Sequence, residues 1–354
     1  MNTNIDVSSI NRQIIRKNYT DTREKQKRNR IYLYDFFSIN EIKVCKKILK
    51  IPYYVNYFDI MNDFDFIKVG EIKGRNIDNI DVCIGTKHEE KYILCRYNNE
   101  KTVFLNEYLF TLKNPKLFFS RIFDSYSYLL NSLIKLNSVG VCFFDLSTES
   151  IAFPVYMIPL LRNFQNCLLI DSLDESYISK IIKKMTNFTY KPLEIHVLFY
   201  LIINNEETLS YSFIDIICDN YVKNMDVLSL FTQNYRETFK KTSVKYLTKY
   251  INKPKSLIIL DILEYSKYWD NFSISMIYLY IIGTICRVFS LKETFMNKFT
   301  TILITNIHPN PAKRETLEQT AEKFNKLLEE TNDWSFMKDV TLSKIEKLYT
   351  VLQN

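Results

Sequence analysis

Glycine is scarce in this chain, with five glycines among 354 residues and the first of them at Gly70. The first 69 residues therefore cannot form a glycine-rich loop whose backbone approaches phosphate groups. Only three histidines are present, and the seven cysteines contain no CxxC pair. Because no Cys and His spacing matches a zinc site, we predict no structural metal.

Long apolar runs are also missing. The longest, at 276–286, spans about eleven residues, whereas a membrane span needs roughly 20. It predicts a buried helix and no membrane insertion. Unpaired cysteines and the lack of an apolar stretch of signal-peptide type near the N-terminus favour a cytoplasmic location.

The residues that are abundant indicate a folded protein. Hydrophobic residues make up 47% and aromatic residues 15% of the chain, and its length predicts one bilobal unit or two domains. The net charge of +7 is too small and too dispersed to require nucleic acid as a partner. Its local excess lies in a basic N-terminal arm at 1–30, which we interpret as solvated; the alternative is a weak contact of residues 12–30 with an anionic surface.

The hydrophobic pattern changes along the chain. Segments 65–72 and 91–97 are rich in β-branched and aromatic residues and are predicted strands. Apolar residues then recur at helical spacing in a long amphipathic helix, and Thr316 and Gln319 have the spacing of a capping box. The predicted fold class is α+β with segregated parts. The apolar stripe of the long helix comprises Leu117, Phe118, Ile122, Tyr126, Leu129, Leu130, Leu133 and Leu136, and further helices are predicted at 174–186, 193–204, 210–222, 273–290 and 317–330.

The stretch "VCFFDLSTES" follows the long helix and ends an apolar run on a lone carboxylate, Asp145. Its position between the long helix and the next strand-like run predicts a loop at the junction of the two parts of the chain. Loops on a rigid scaffold are where functional side chains concentrate.

The order of these features resembles a protein kinase, and in particular the divergent serine/threonine kinase-like proteins of large DNA viruses. In that family a long helix leads into His-Arg-Asp-Leu-Lys-x-x-Asn, and Asp-Phe-Gly follows eighteen residues after the first Asp. Here Asp145-Leu146 follows the helix, Ser150 stands where the family has Asn, and Asn163-Phe164-Gln165 stands where it has Asp-Phe-Gly. The resemblance implies a bilobal kinase-like fold, with a small lobe of reduced β-sheet at 31–100 and a larger, mainly helical lobe at 101–354.

Three further landmarks extend the resemblance over about residues 90 to 330. "YKPLE" is similar to the family's Ala-Pro-Glu segment, with Pro192 and Glu194 matching. Asp270 matches the Asp that leads a strongly apolar central helix, and "NIHPNPAKRETLEQT" resembles the final motif, whose Arg pairs with that Glu. The resemblance thus implies a buried Arg314–Glu194 ion pair, worth roughly 3–5 kcal/mol on loss of one partner. The long interval between Glu194 and Asp270 implies an inserted or remodelled helical segment.

The chemistry of the family is altered in this sequence. Phosphoryl transfer needs a carboxylate base, a Lys on the phosphates, two metal ligands and a glycine-rich turn. Asp145 can still be the base, and Glu41 matches the family's Lys-pairing Glu, but "RIYLYDFF" before it contains no Lys. Ser150 and Asn163 are neutral at the two metal-ligand positions, whereas Mg²⁺ beside a triphosphate draws on anionic oxygens. Gln165 replaces a Gly and removes freedom in φ.

These departures favour a pseudokinase that acts as a binding or regulatory scaffold for a protein partner, with no cofactor expected. Its location would be the cytoplasm of an infected cell if the protein is viral, or a virus particle. The alternative is an atypical serine/threonine kinase that uses ATP and Mg²⁺ to phosphorylate protein hydroxyls, with Asp145 as base and Asp171 or Asp174 as substitute ligands. A third class is a structural or nucleic-acid-associated protein that uses its basic arm.

Overall fold

The computed structural model describes residues 27–68, 91–98, 102–110, 115–154, 158–186, 188–287 and 295–330. The predicted basic arm at 1–30 lies almost wholly outside this part of the chain, as do the ends of the predicted strand 65–72 and helix 273–290. The chain divides into two compact units: Met1–Val103 with Ala152–Cys167, and Phe104–Ile151 with Leu168–Asn354. In this division residues 152–167 pack with the first unit.

The first unit contains an antiparallel sheet of three strands. These are β1 (Lys27–Leu33), β2 (Met61–Lys68) and β3 (Lys91–Asn98), in the order β1-β3-β2. A register shift between Met61 and Asp63 marks a bulge in β2. β2 begins four residues before the strand predicted at 65–72, since its pairing with β3 continues past the bulge to the buried Met61.

Helix α1 (Phe36–Ile48) begins where Asp35 provides a cap. The Asp35 carboxylate accepts hydrogen bonds from the backbone N–H groups of Phe37 and Ser38, both at 2.9 Å, and so satisfies donors that the first turn leaves unpaired. Its buried face carries apolar side chains and, besides Ser38 in the capping turn, two polar ones, Asn40 and Glu41. Buried polar side chains on a helix face that packs inward need partners, and these two lead to the candidate site.

A second three-stranded sheet has the order β4-β6-β7, with β4 at Thr102–Phe104, β6 at Ile151–Pro154 and β7 at Leu160–Leu161. Within the first unit, β7 also meets the segment that precedes β2. The N–H of Asp59 donates to the carbonyl of Leu161 at 2.9 Å, and the N–H of Leu161 donates to the carbonyl of Tyr57 at 3.0 Å. The chain that returns at 152–167 is therefore tied to the first unit by backbone hydrogen bonds.

The second unit is mainly helical. Its one described sheet pairs β5 (Val141–Cys142) with β8 (Leu168–Leu169). The described helices are α2 (Leu105–Phe110), α3 (Pro115–Ser138), α4 (Glu175–Lys184), α5 (Leu193–Ile203), α6 (Tyr211–Asn224), α7 (Asp226–Ser229), α8 (Gln233–Leu247), α9 (Lys255–Leu263), α10 (Trp269–Cys286), α11 (Phe295–Asn306) and α12 (Leu317–Glu330).

The long helix α3 buries the predicted stripe with one exception. Leu117 is 47% exposed, whereas Phe119, which was not assigned to the stripe, is fully buried. In a helix of 3.6 residues per turn, Leu117 lies on the side away from the centre of the stripe, whereas Phe119 lies on the same side as Tyr126. Tyr126 packs against rings from three later helices: Tyr278 on α10, Phe299 on α11 and Phe324 on α12.

Two further features of the second unit agree with the sequence analysis. The implied helical segment between Glu194 and Asp270 is present as α6 to α9. The capping box before α12 is also present: the Thr316 N–H donates to Gln319 Oε1 at 2.9 Å, and the Gln319 N–H donates to Thr316 Oγ1 at 3.3 Å.

The α+β class is confirmed, since the described residues combine small sheets of two or three strands with many helices. None of the described helices has both the length and the apolar character that crossing a membrane requires.

Candidate functional site

Asp145 lies three residues after β5, in a loop that helix α10 holds by its first turn. Asp270 is completely buried, and its carboxylate accepts the backbone N–H of Phe143 at 2.7 Å and that of Phe144 at 2.8 Å. Burial raises the pKa of Asp270, and the two backbone hydrogen bonds act in the opposite direction. An Asp before an apolar helix is ordinarily a cap, but α10 begins at Trp269, earlier than predicted, and Asp270 instead fixes the loop that precedes Asp145.

The residue next to Asp145 has a strained backbone. Phe144 has φ 62°, in the left-handed region that a bulky side chain seldom adopts. Its carbonyl accepts a hydrogen bond from Lys191 Nζ at 2.6 Å, and the same ammonium lies 5.3 Å from the centre of its ring. Strain of this kind persists only where surrounding contacts over-determine the conformation, which the Asp270 and Lys191 contacts do here.

Lys191 also binds the candidate base. Its Nζ lies 3.1 Å from Asp145 Oδ1, and the side chain of Lys191 is 3% exposed against 33% for Asp145. The Asp145 carboxylate therefore has an internal cation on one side and access to solvent on the other. Sequence reasoning missed Lys191, although it stands within the quoted "YKPLE" segment immediately before Pro192.

The Ser150 hydroxyl forms hydrogen bonds within its own loop. Its Oγ accepts the Ser147 N–H at 2.9 Å and donates to the Ser147 carbonyl at 2.7 Å, and the residue is 3% exposed. Both contacts close the short 3₁₀ turn Thr148–Ser150. The hydroxyl at this predicted metal-ligand position is thus used as a turn cap.

The implied ion pair between Arg314 and Glu194 is present. Nη1 and Nη2 of Arg314 lie 2.5 Å and 2.9 Å from the two carboxylate oxygens of Glu194, and neither side chain is exposed by more than 1%. Trp269 Nε1 donates to the same carboxylate at 3.2 Å, and Arg314 Nε donates to the His308 carbonyl at 2.7 Å. This bidentate, fully buried pair fixes α5 to the segment before α12.

In the first unit, Glu41 on α1 is 1% exposed and accepts the hydroxyl of Tyr97 at 3.0 Å. Burial raises the pKa of Glu41, whereas the charge of Arg30 and the Tyr97 hydrogen bond act to lower it. Tyr97 lies on β3, so Glu41 connects the helix with the sheet.

Arg30 on β1 is connected to Glu41 by hydrogen bonds through the hydroxyls of two tyrosines. Its Nη1 donates to Tyr32 Oη at 3.2 Å, and the Tyr32 and Tyr97 hydroxyls are 3.3 Å apart. The guanidinium carbon lies 5.0 Å from the centre of the Tyr97 ring. Sequence reasoning sought a Lys in "RIYLYDFF" and overlooked the Arg that begins this stretch.

Asn163 belongs to the first unit and contacts Arg30. Its Oδ1 accepts a hydrogen bond from Arg30 Nη1 at 3.4 Å, and its backbone is left-handed with φ 68°. The next residue, Phe164, is fully buried, with its ring 6.1 Å from that of Phe58. The left-handed residue of this segment is Asn163 and not Gln165, which lies in the 3₁₀ turn Phe164–Asn166.

The segment that follows Asn163 is bound to α1. Asn40 Nδ2 donates to the carbonyls of Gln165 at 2.9 Å and Cys167 at 2.8 Å. Asn40 and Glu41 are adjacent on α1. The helix therefore binds the segment after Asn163 through Asn40 and the Tyr97 hydroxyl through Glu41. Asn163 belongs to the first unit and Asp145 to the second.

The side chains at the two predicted ligand positions do not fit a magnesium ion. Asn163 is a neutral amide whose oxygen contacts a cation, and Ser150 is a neutral hydroxyl engaged by its own turn. Asp174, a substitute ligand in the active-kinase alternative, caps α4 by accepting the Tyr177 N–H at 2.7 Å. Among the described residues, no three His, Cys, Asp or Glu side chains are grouped to hold a metal. The expectation that no cofactor is required stays a prediction.

No family model matches the chain, and no curated protein matches its sequence significantly.

Proposed function

We propose that the chain is a divergent kinase-like protein of the pseudokinase type, which acts as a binding or regulatory scaffold for a protein partner. The observation that carries this proposal is the state of the three positions where the family has its reactive groups. Asp145 is paired with the buried Lys191, Ser150 caps its own turn, and Asn163 contacts the cation of Arg30. Each position is engaged by the protein itself.

Two buried contacts support the kinase-like part of the proposal. The Glu194–Arg314 pair follows from the resemblance and from no local pattern, because its members are 120 residues apart. Asp270, matched independently, fixes the loop that leads to Asp145. Chance matches of short motifs would not be expected to place both sets of residues in contact.

A specific observation favours the runner-up, an atypical serine/threonine kinase with Asp145 as base. The Asp145 side chain keeps one third of its surface exposed, and it follows a strained residue of the type found at reactive sites. A base needs this access to a substrate hydroxyl. The other requirements for phosphoryl transfer lack visible candidates among the described residues.

The test is transfer of labelled phosphate from ATP to the protein itself and to a generic protein substrate, with Mg²⁺ or Mn²⁺. The pseudokinase proposal predicts no incorporation above that of an Asp145→Ala variant. Incorporation that disappears in Asp145→Ala would reject the proposal and establish the runner-up.

A further inference from the structure

Arg30 is a buried cation with most of its hydrogen-bonding capacity unused. The residue is 4% exposed. Nη1 donates to Tyr32 and Asn163, while Nε and Nη2 have no hydrogen-bond partner. A guanidinium presents five donors in a planar fork that matches the oxygens of phosphates and carboxylates.

Among the residues that the structure describes, no carboxylate forms a direct ion pair with Arg30. Within the described part of the chain, the guanidinium contacts the hydroxyl oxygen of Tyr32, the amide oxygen of Asn163 and the face of the Tyr97 ring. Glu41 is connected to Arg30 by hydrogen bonds only through the hydroxyls of Tyr32 and Tyr97, although the two charges attract each other. A buried charge ordinarily has a hydrogen-bonded counter-ion, so this guanidinium is arranged to receive one.

Asn163 connects this cation with the surface. It is exposed, whereas Arg30 is buried, and the 3.4 Å contact joins their side chains. Its backbone is left-handed and begins the 3₁₀ turn, and the two Asn40 hydrogen bonds hold the segment that follows it. An anion that reaches Asn163 from solvent therefore meets an amide that already contacts the Arg30 guanidinium.

We infer that Arg30 and Asn163 form a metal-independent site for a phosphate-bearing anion, in which the guanidinium takes the charge that a bound metal supplies beside a carboxylate. An Asp with a divalent cation and an Asn with an Arg both carry one net positive charge. This inference deepens the proposed function and rests on it for the correspondence of Asn163 with the family's metal-binding Asp. The neutral amide of Asn163 then suits a site in which Arg30 replaces the metal, because a carboxylate at this position would neutralise Arg30.

Calorimetric titration of the full chain with inorganic pyrophosphate and with ADP, in buffer containing EDTA, tests the inference. Both compounds are expected to bind without metal. Added Mg²⁺ is expected to weaken binding by at least about threefold, because it neutralises the anion that Arg30 attracts. Equal affinity for the two compounds assigns recognition to the phosphates alone, and tighter binding of ADP adds a contact with the nucleoside; both results support the site.

Arg30→Met keeps the length of the side chain and removes the charge, and it should weaken metal-free binding by about tenfold or more. The matched control is Arg96→Met on β3, since Arg96 already pairs with Asp63 and Asp65 and should leave affinity unchanged. Asn163→Asp provides an independent variant at an exposed position, where Asp also tolerates the left-handed backbone. Its carboxylate should pair with Arg30 and likewise reduce binding by about tenfold.

Absence of binding by both compounds, or binding that survives Asn163→Asp unchanged, overturns the inference even if Arg30→Met fails to fold. That result leaves the proposed pseudokinase intact. Binding that requires Mg²⁺ overturns the inference and also contradicts the proposed function, so the two failures are distinguishable.

Discussion

At the scale of single residues, two cations that local patterns do not reveal determine the chemistry of the candidate site. Lys191 pairs with the candidate base Asp145, and Arg30 contacts Asn163, which the proposed resemblance matches to a metal-binding carboxylate. Both are buried. A buried cation against a functional position changes its reactivity more than a surface charge does, because solvent screens it little.

The Glu194–Arg314 pair yields the first prediction. Glu194→Gln leaves Arg314 buried without a carboxylate, and the free energy of unfolding should fall by roughly 3–5 kcal/mol. Urea denaturation measures the loss. The control is Asp63→Asn, which removes a carboxylate from Arg96 at the surface and should cost below about 1 kcal/mol. A loss in Glu194→Gln no larger than in the control would contradict the assigned role.

His196 on α5 yields the second prediction. Burial lowers its pKa to about 4, and its ring lies between those of Phe188 and Tyr221. Because the folded pKa is below the ordinary value of about 6.5, the unfolded chain takes up a proton first as the pH falls. Stability should therefore decrease between pH 6.5 and pH 4, by about 3 kcal/mol from this residue.

Comparison with His196→Phe isolates that contribution from the titration of carboxylates. The variant retains aromatic packing and should lose less stability than the unmodified protein over the same interval. Urea denaturation at several pH values measures both slopes. Equal slopes would show that His196 is not buried in its neutral form.

At the scale of elements, helices were largely predictable and their long-range contacts were not. The periods that define α3 and α12 and the capping box at Thr316 are local, so they can be read directly from the sequence. Asp270 has the same local appearance whether it caps a helix or binds a distant loop, and only the fold distinguishes these roles. Lys191 and Arg30 were missed for the same reason, since their partners are remote in sequence.

The attachment of α10 to the Asp145 loop yields the third prediction. Asp270→Asn keeps one acceptor but turns an amide donor toward a second backbone N–H, so one of the N–H groups of Phe143 and Phe144 loses its partner. The free energy of unfolding should fall by about 1–3 kcal/mol, and hydrogen exchange should accelerate at 143–145. Asp261→Asn, at a half-exposed carboxylate on α9, is the matched control and should leave exchange in that loop unchanged.

At the scale of the whole molecule, the sequence predicted the α+β class and a small sheet-bearing part before a larger helical part. It did not predict that residues 152–167 return to the first unit, because the hydrogen bonds of Leu161 with Tyr57 and Asp59 cross about 100 residues. The resemblance predicted the Glu194–Arg314 pair, which periodicity alone cannot supply. Composition limited the candidate functions by excluding glycine-rich and zinc-binding motifs, and the side-chain contacts then favoured one of those that remained.

We propose, as the central claim, that the three positions matched to a kinase's reactive groups do not support metal-dependent nucleotide binding. Its most direct test is the melting temperature of the full chain with ATP in EDTA and with ATP and Mg²⁺. We expect no increase that depends on Mg²⁺, because neither Ser150 nor Asn163 offers an anionic ligand. A melting temperature that rises with ATP only when Mg²⁺ is present would contradict the account.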